Sequence, residues 1–321
     1  DEEESVITLT HFGYIKRLPA DTYKSQRRGG KGIAGLSTRE EDFVETLFIT
    51  STHHYIMFFT NMGRVYRLKA YQIPEAGRQA KGTAIVNLLE LEGEEKITAV
   101  IPIAEYKEGL YLFMATKQGH VKKTDLMQYS NIRRSGLAAV TLRENDELID
   151  VRLTDGERDI ILVTRNGLSI RFNERDVRPL GRVSQGVIGI NLQDDDYVIG
   201  MATSRPGATL LVVTENGFGK RTELDEYKTQ TRAGKGILTY RVTEKTGKVA
   251  GVKLVDETDD IMLISFDGTI IRMEVSGISI LGRATQGVTL MRTSEDNHVV
   301  SIARIEPEDD DEEDHEGEDP E

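Results

Sequence analysis

Cysteine and tryptophan are both absent from the 321 residues. Without cysteine there are no disulfides and no thiolate metal sites, and the composition fits a reducing compartment. Without tryptophan, the Trp-Asp dipeptide of WD40 blades and the usual kelch aromatics are excluded. No apolar run approaches the ~18 residues of a membrane-spanning helix. Nor does a basic-then-apolar leader open the chain, which begins Asp1-Glu2-Glu3-Glu4. The expectation is a soluble, cytoplasmic protein without a membrane partner.

Positive charge is also scarce, since the net charge is -13. Its distribution reverses that impression. From Glu306 to Glu321 there are 12 acidic residues and no Lys or Arg, and residues 1–4 hold four more acids. The body from Ser5 to Ile305 is left with 38 acidic against 41 basic residues, a formal charge of +3. The stretch 306–321 has too little apolar surface to fold and is expected to be a disordered polyanion. A near-neutral body settles no partner by itself, so the placement of its basic residues decides.

What is present is a repeat. An apolar run, then Thr or Ser, two variable residues and Gly recur at Gly13, Gly63, Gly119, Gly167, Gly217 and Gly268, spaced by 50, 56, 48, 50 and 51 residues. A second glycine follows 19 residues later at Gly32, Gly82, Gly186, Gly236 and Gly287, while the third copy has Gly136 at 17. Each copy reads as about four strands. In the fifth these are Leu210 to Thr214, a strand to about Glu223, Ile237 to Val242, and Val249 to Val255. Asn166-Gly167, Asn216-Gly217 and Asp267-Gly268 predict two-residue type I′ hairpin turns. Four-stranded units of about 50 residues cannot bury both faces alone, so six of them predict an all-β, propeller-like ring.

Basic residues follow the repeat. Four positions after each first glycine stand Arg17, Arg67, Lys123, Arg171, Arg221 and Arg272, preceded in copies one, three and five by Lys16, Lys122 and Lys220. In copies two, four and six that preceding position holds Tyr66, Ile170 and Ile271. Equivalent positions on equivalent blades predict a ring of positive charge suited to phosphates, against the plainer reading of charges that deter strand-edge pairing. Four positions before the second glycine stand Arg28, Arg78, Arg182, Arg232 and Arg283, with Lys31, Lys81, Lys235, Gln185 or Gln286 just before the glycine. Copy three has Ile132 there, beside Arg133 and Arg134. Such a loop offers backbone N–H groups and a guanidinium to a phosphate, or is simply a glycine-rich connection.

The first such loop reads Gln26-Arg27-Arg28-Gly29-Gly30-Lys31-Gly32. It resembles the gyrase A box, which marks the C-terminal domain of the bacterial DNA gyrase A protein and is degraded in the related topoisomerase IV protein. The resemblance extends over Ser5 to Ile305, through Glu41-Asp42-Phe43, Gly63-Arg64-Val65-Tyr66 and Gly282-Arg283-Ala284-Thr285-Gln286-Gly287-Val288. It implies a six-bladed β-pinwheel over 5–305, between an acidic linker at 1–4 and the tail at 306–321. It implies duplex binding of little sequence preference and a wrap of positive handedness. It also implies partnership with the rest of gyrase A and with gyrase B in an A2B2 enzyme, so that ATP-driven strand passage introduces negative supercoils. The box role falls on Gln26 to Gly32 and an ancillary DNA-contact role on the other repeated basic positions. ATP, Mg²⁺ and the catalytic tyrosine belong to other parts of that enzyme.

Enzyme motifs are missing from the residues themselves. Lys31-Gly32 and Lys235-Gly236 lack the Lys-Ser/Thr ending of a P-loop. Gly217-Phe218-Gly219 lies between two strands and so is not a dinucleotide turn. His53 and His54 are adjacent on a strand and face opposite ways, and Asp194-Asp195-Asp196 reads as a solvated turn. No catalytic residue, metal site or cofactor is expected in this chain. A propeller serving as a scaffold for protein partners is the alternative.

Overall fold

The computed structural model describes residues 1–21 and 41–305, almost wholly as short strands. Each copy of the repeat opens with a hairpin. The six pairs are Glu4–Thr10 with Tyr14–Pro19, Tyr55–Thr60 with Arg64–Lys69, Tyr111–Thr116 with His120–Asp125, Asp159–Thr164 with Leu168–Asn173, Thr209–Thr214 with Phe218–Glu223, and Asp260–Ser265 with Ile270–Glu274. A later strand of the same copy pairs antiparallel with the first hairpin strand. These strands are Val44–Ser51, Ile97–Ile103, Leu148–Thr154, Val198–Thr203, Val249–Val255 and Val299–Ile305. They stand around a common axis, each against the next, and Val299–Ile305 meets Val44–Ser51 to close the ring.

The outer place in each sheet is filled by the following copy. Thr83–Ala84 joins blade 1, Leu137–Ala138 blade 2, Val187–Ile188 blade 3, Ile237–Leu238 blade 4 and Val288–Thr289 blade 5. The protein is a six-bladed β-propeller of small antiparallel sheets with a strand exchanged between neighbours. In the fifth copy Val249–Val255 lies where the sequence places it, but the strand predicted from Ile237 to Val242 ends at Leu238. Beyond it the chain leaves the ladder, and Tyr240 becomes wholly buried between blades.

The apolar cores sit in the seams between blades. Thr209–Thr214 is buried along its whole length because both faces of its sheet are covered. Its side chains alternate with the period of two expected of a strand. Leu210 and Val212 pack toward blade 4 with Ile161 and Val163, whereas Leu211 and Val213 pack toward blade 6 with Ile261 and Leu263. Burying each such side chain contributes about 1.5–3 kcal/mol. At the closing seam Phe43 of blade 1 lies among Met262, Ile264, Ile270 and Ala303 of blade 6.

The hairpin turns depart from the type I′ expectation. That turn requires positive φ at both central residues, yet positive φ falls on the glycines and not on Asn166, Asn216 or Asp267. Instead Gly167 N donates to Thr164 O at 3.1 Å, closing a four-residue turn with glycine in last place. The hydroxyl of the first residue then accepts from the amide after the glycine, as with Leu168 N to Thr164 Oγ1 at 3.1 Å. Tyr14, Arg64, His120 and Phe218 repeat this bond to Thr10, Thr60, Thr116 and Thr214. The Thr of the motif is therefore a turn staple.

Two glycine landmarks recur because they meet. A Cβ on Gly167, at φ +88°, would lie 2.4 Å from Tyr240 O of the next copy, and one on Gly236, at φ +83°, would lie 2.6 Å from Ser169 O of the previous copy. Both are sites where backbone passes backbone as the exchanged strand docks.

Candidate nucleic-acid interface

Part of the ring of hairpin cations is withdrawn from solvent. Lys122, Lys123, Lys220 and Arg221 are 1%, 4%, 0% and 3% exposed. In copies two to six a single-turn 3₁₀ helix follows the hairpin, at Ala70–Gln72, Leu126–Tyr129, Glu174–Asp176, Leu224–Glu226 and Val275–Gly277. Such a turn leaves carbonyls without partners at its C-terminal end, and a cation is favourable there. The hairpin cation of the preceding blade reaches this turn, at the residue that ends it for Arg17, Arg67 and Arg221 and at the carbonyl of its first residue for Lys123 and Arg171. Arg17 Nε donates to Ile73 O at 3.0 Å, an Arg67 guanidinium nitrogen to Ser130 O at 2.8 Å, and Lys123 Nζ to Glu174 O at 2.9 Å. Arg171 reaches Leu224 O at 2.9 Å, and Arg221 Nε reaches Ile278 O at 2.8 Å. Arg67 also lies 3.9 Å over the Tyr55 ring. Arg272 of the last blade holds Asp260 at 2.7 Å.

Lys16, Lys122 and Lys220, one residue earlier, point to the opposite face of the strand and donate to carbonyls of the next blade's glycine-rich loop. Burial lowers the affinity of all three for a proton, to about 7 for Lys122 and about 8 for Lys220. Lys123 is lowered by the same cause. Of these nine positions, Lys122, Lys123, Lys220 and Arg221 are thus buried and not part of an exposed ring, whereas Lys16, Arg17, Arg67, Arg171 and Arg272 keep part of their surface in solvent. Adjacent strand residues face opposite ways, but in blades 3 and 5 the exchanged strand and its loop cover the blade edge, so both directions lead into a seam.

The second set lies on the outer edge. Arg182 donates to Ala138 O, Arg232 to Ile188 O at 2.9 Å, and Arg283 to Leu238 O. Each acceptor belongs to the exchanged strand of the preceding loop, so these arginines link loop to loop around the circumference while staying partly exposed. Arg78 is partly exposed, and Lys81 and Lys235 are open to solvent. Lys81 Nζ stands 4.2 Å over the Tyr14 ring. In blade 3 Ile132 packs against the apolar seam, which turns Arg133 and Arg134 outward. The Arg134 side chain is 89% exposed, with Nε 3.8 Å from Glu90. The structure adds Arg178 and Lys228, both exposed. Their signal in the sequence is a shared place eight residues before Gly186 and Gly236, held by Lys24 before Gly32 in copy one. Gln26, Arg27, Arg28, Gly29, Gly30, Lys31 and Gly32 lie outside the described residues.

Other groups fall into structural places. His53 Nδ1 lies 3.8 Å from Glu2, and His54 Nδ1 is 3.4 Å from Thr50 Oγ1. Asp196 holds the blade 4 turn by accepting from Asn166 N at 3.0 Å. Among the described residues, no three His, Cys, Asp or Glu side chains are grouped to hold a metal ion, and no helix is long and apolar enough to cross a membrane.

The model of the DNA gyrase C-terminal domain, a beta-propeller, matches residues 4–51, 54–104, 110–155, 158–205, 208–256 and 259–306, one segment per blade. The DNA gyrase A protein of Clostridium acetobutylicum is 57% identical over 308 residues, covering 96% of this chain and 37% of that protein. Its counterpart in Escherichia coli is 47% identical over 304 residues, covering 95% and 35%. The chain thus spans about a third of the length of these relatives. Among solved structures, the C-terminal domain of DNA topoisomerase IV superposes with a TM-score of 0.84 at 26% identity, covering 95% of this chain and 94% of that one. A DNA gyrase A C-terminal domain does so at 0.69 and 26% identity, covering 94% and 100%.

Proposed function

This chain belongs to the family of the DNA gyrase C-terminal β-propeller domain, and from that premise we propose that it is a non-catalytic domain that binds duplex DNA along its outer edge and wraps it. The observation that carries this reading is the circumference of linked glycine-rich loops, with Lys81, Arg133, Arg134, Arg178, Lys228 and Lys235 exposed on or beside them. Cations spaced around a closed ring meet phosphates whatever the base sequence, so the binding is electrostatic and sequence-independent. Bending a site of two to three helical turns costs on the order of 1–6 kcal/mol, which contacts at successive blades offset. The relatives are components of a type II topoisomerase. In this reading the wrapped duplex is handed to the rest of gyrase A and to gyrase B in an A2B2 assembly in the cytoplasm. ATP and Mg²⁺ are handled by those other parts, and Gln26 to Gly32 complete the wrap.

The test is a mobility shift on a duplex of arbitrary sequence at low and moderate salt, joined to ligase sealing of nicked circles with the domain bound. Binding that weakens steeply with salt and a shift in linking number are expected. Alanines at Gln26 to Gly32 should leave most binding but remove the linking shift. Binding indifferent to salt, or no linking shift with the unaltered chain, would overturn the reading. A protein scaffold is the second reading, favoured by Phe12, Met62 and Phe266, which stand 57%, 55% and 70% exposed on hairpin tips of three successive blades.

A further inference from the structure

The glycine-rich loops fall into two alternating classes. In copies two, four and six a glycine precedes the arginine, giving Gly77-Arg78-Gln79-Ala80, Gly181-Arg182-Val183-Ser184 and Gly282-Arg283-Ala284-Thr285. Each of these closes on itself, with Ala80 N donating to Gly77 O at 3.0 Å, Ser184 N to Gly181 O at 3.1 Å and Thr285 N to Gly282 O at 3.3 Å. The closed turn draws carbonyl oxygens together, and dipoles pointing to one place repel unless a positive charge sits among them.

A lysine Nζ from the preceding blade reaches each of these turns. Lys16 Nζ donates to the carbonyls of Gly77, Arg78 and Ala80 at 3.1, 2.8 and 3.0 Å. Lys220 Nζ donates to those of Gly282, Arg283 and Thr285 at 2.8, 2.7 and 2.9 Å, and to Thr285 Oγ1 at 3.0 Å. Lys122 Nζ donates to Arg182 O and to Ala139 O. The arginine carbonyl is the acceptor common to all three. The loops of copies three and five, Asn131-Ile132-Arg133-Arg134 and Thr231-Arg232-Ala233-Gly234, have no leading glycine. The preceding blades offer them Tyr66 and Ile170 in place of lysine. Tyr66 OH instead donates to Glu95 at 2.8 Å, and the Ile170 Cδ1 methyl approaches Gly234.

We infer that Lys16, Lys122 and Lys220 are positioning residues that lock the Gly-Arg turns of blades 2, 4 and 6, so that every second blade presents the DNA backbone with a pre-formed loop. The lysines themselves never touch DNA. Their ammonium protons are spent on carbonyls, and the phosphate is met by the arginine and the outer loop atoms that the lock holds in place. Pre-formation matters because a loop already ordered does not lose freedom when the duplex arrives. This inference rests on the outer edge being the DNA surface.

Two readouts on the 321-residue chain test it. Lys220→Met should speed amide hydrogen exchange across 282–287 by about tenfold or more while 231–236 keeps its rate. On a linear duplex of random sequence the same change should weaken binding several-fold. Combining it with Arg283→Met should weaken binding no further than the more damaging single change, because both act through one loop. Unchanged exchange across 282–287 would overturn the lock. Faster exchange with unchanged affinity, or a double change equal to the product of the singles, would overturn its role toward DNA. If Lys220→Met does not fold, Lys16→Met, at the most open of the three cages, decides the same question with exchange read across 77–82. An unaltered chain that binds no duplex sinks the proposed function, while the exchange data still judge the lock.

Discussion

Lys220 and Lys235 belong to the same copy of the repeat and carry the same charge, yet one is wholly enclosed in a seam and the other is open on the outer edge. The seam cations complete the hydrogen bonding of neighbouring backbone. The edge arginines link one loop to the next and keep part of their surface in water, and the edge lysines Lys81 and Lys235 are open to it. Repetition of a charge through six copies therefore reports a repeated environment, and only depth says whether that environment is a joint or a surface.

The sharpest way to break this comparison is through glycine. Gly167, in a seam, has φ +88° and a Cβ position 2.4 Å from Tyr240 O, while Gly181, on the edge, has nothing within 4 Å. Gly167→Ala is expected to cost about 3 kcal/mol or more in urea unfolding, and Gly181→Ala to stay within about 1 kcal/mol of the parent. Equal losses would mean that seam and edge are not distinct. Next come the cations. Arg221→Met leaves Ile278 O buried without its donor and should cost about 1–3 kcal/mol, whereas Lys235→Met should stay within about 0.5 kcal/mol.

DNA binding should show the reverse order. Replacing Lys81, Arg133, Arg134 and Lys235 by Ala should lower the slope of log affinity against log salt by about 0.9 for each cation that meets a phosphate, with urea stability unchanged. If Arg221→Met alone flattens that slope in a chain that remains folded, the seam cations are DNA contacts after all. A further contrast between seam and edge is in pH. Burial brings Lys122 to about 7, while a lysine in the unfolded chain titrates near ~10.4. Between those values the unfolded chain binds a proton that the folded chain has released, so unfolding takes up protons and stability rises with pH. Urea midpoints should climb from about pH 7 to about pH 9, less so in Lys122→Met and undiminished in Lys235→Met.

Much of the fold is legible in the residues. The repeat of Thr-x-x-Gly counts the blades, and the apolar run Leu210 to Thr214 announces a strand covered on both faces. The turn type is not legible in Asn-Gly alone, because two hairpin geometries share that dipeptide and the threonine hydroxyl selects between them. Nor is the depth of Lys122 and Arg221, because what buries them is a strand and loop from another copy, some sixty residues away in the contacts of Lys122 with Arg182. The alternation of lysines is the one warning of it. Lys16, Lys122 and Lys220 occur only where the next copy has Gly77, Gly181 or Gly282, a pairing inside one chain that a surface charge would not need. Arg178 and Lys228 carry a fainter signal because a basic residue stands at their place in only three copies, Lys24 being the third.

That pairing makes neighbouring blades unequal. A lineage that deleted blade 3 alone would bring Tyr66 against the Gly181-Arg182 turn and strip that turn of its ammonium. Deleting blades 3 and 4 together would bring Tyr66 against Thr231-Arg232, a loop of the kind it already serves. Although the eye counts six repeats, the contact between one blade's lysine and the next copy's Gly-Arg turn recurs in steps of two.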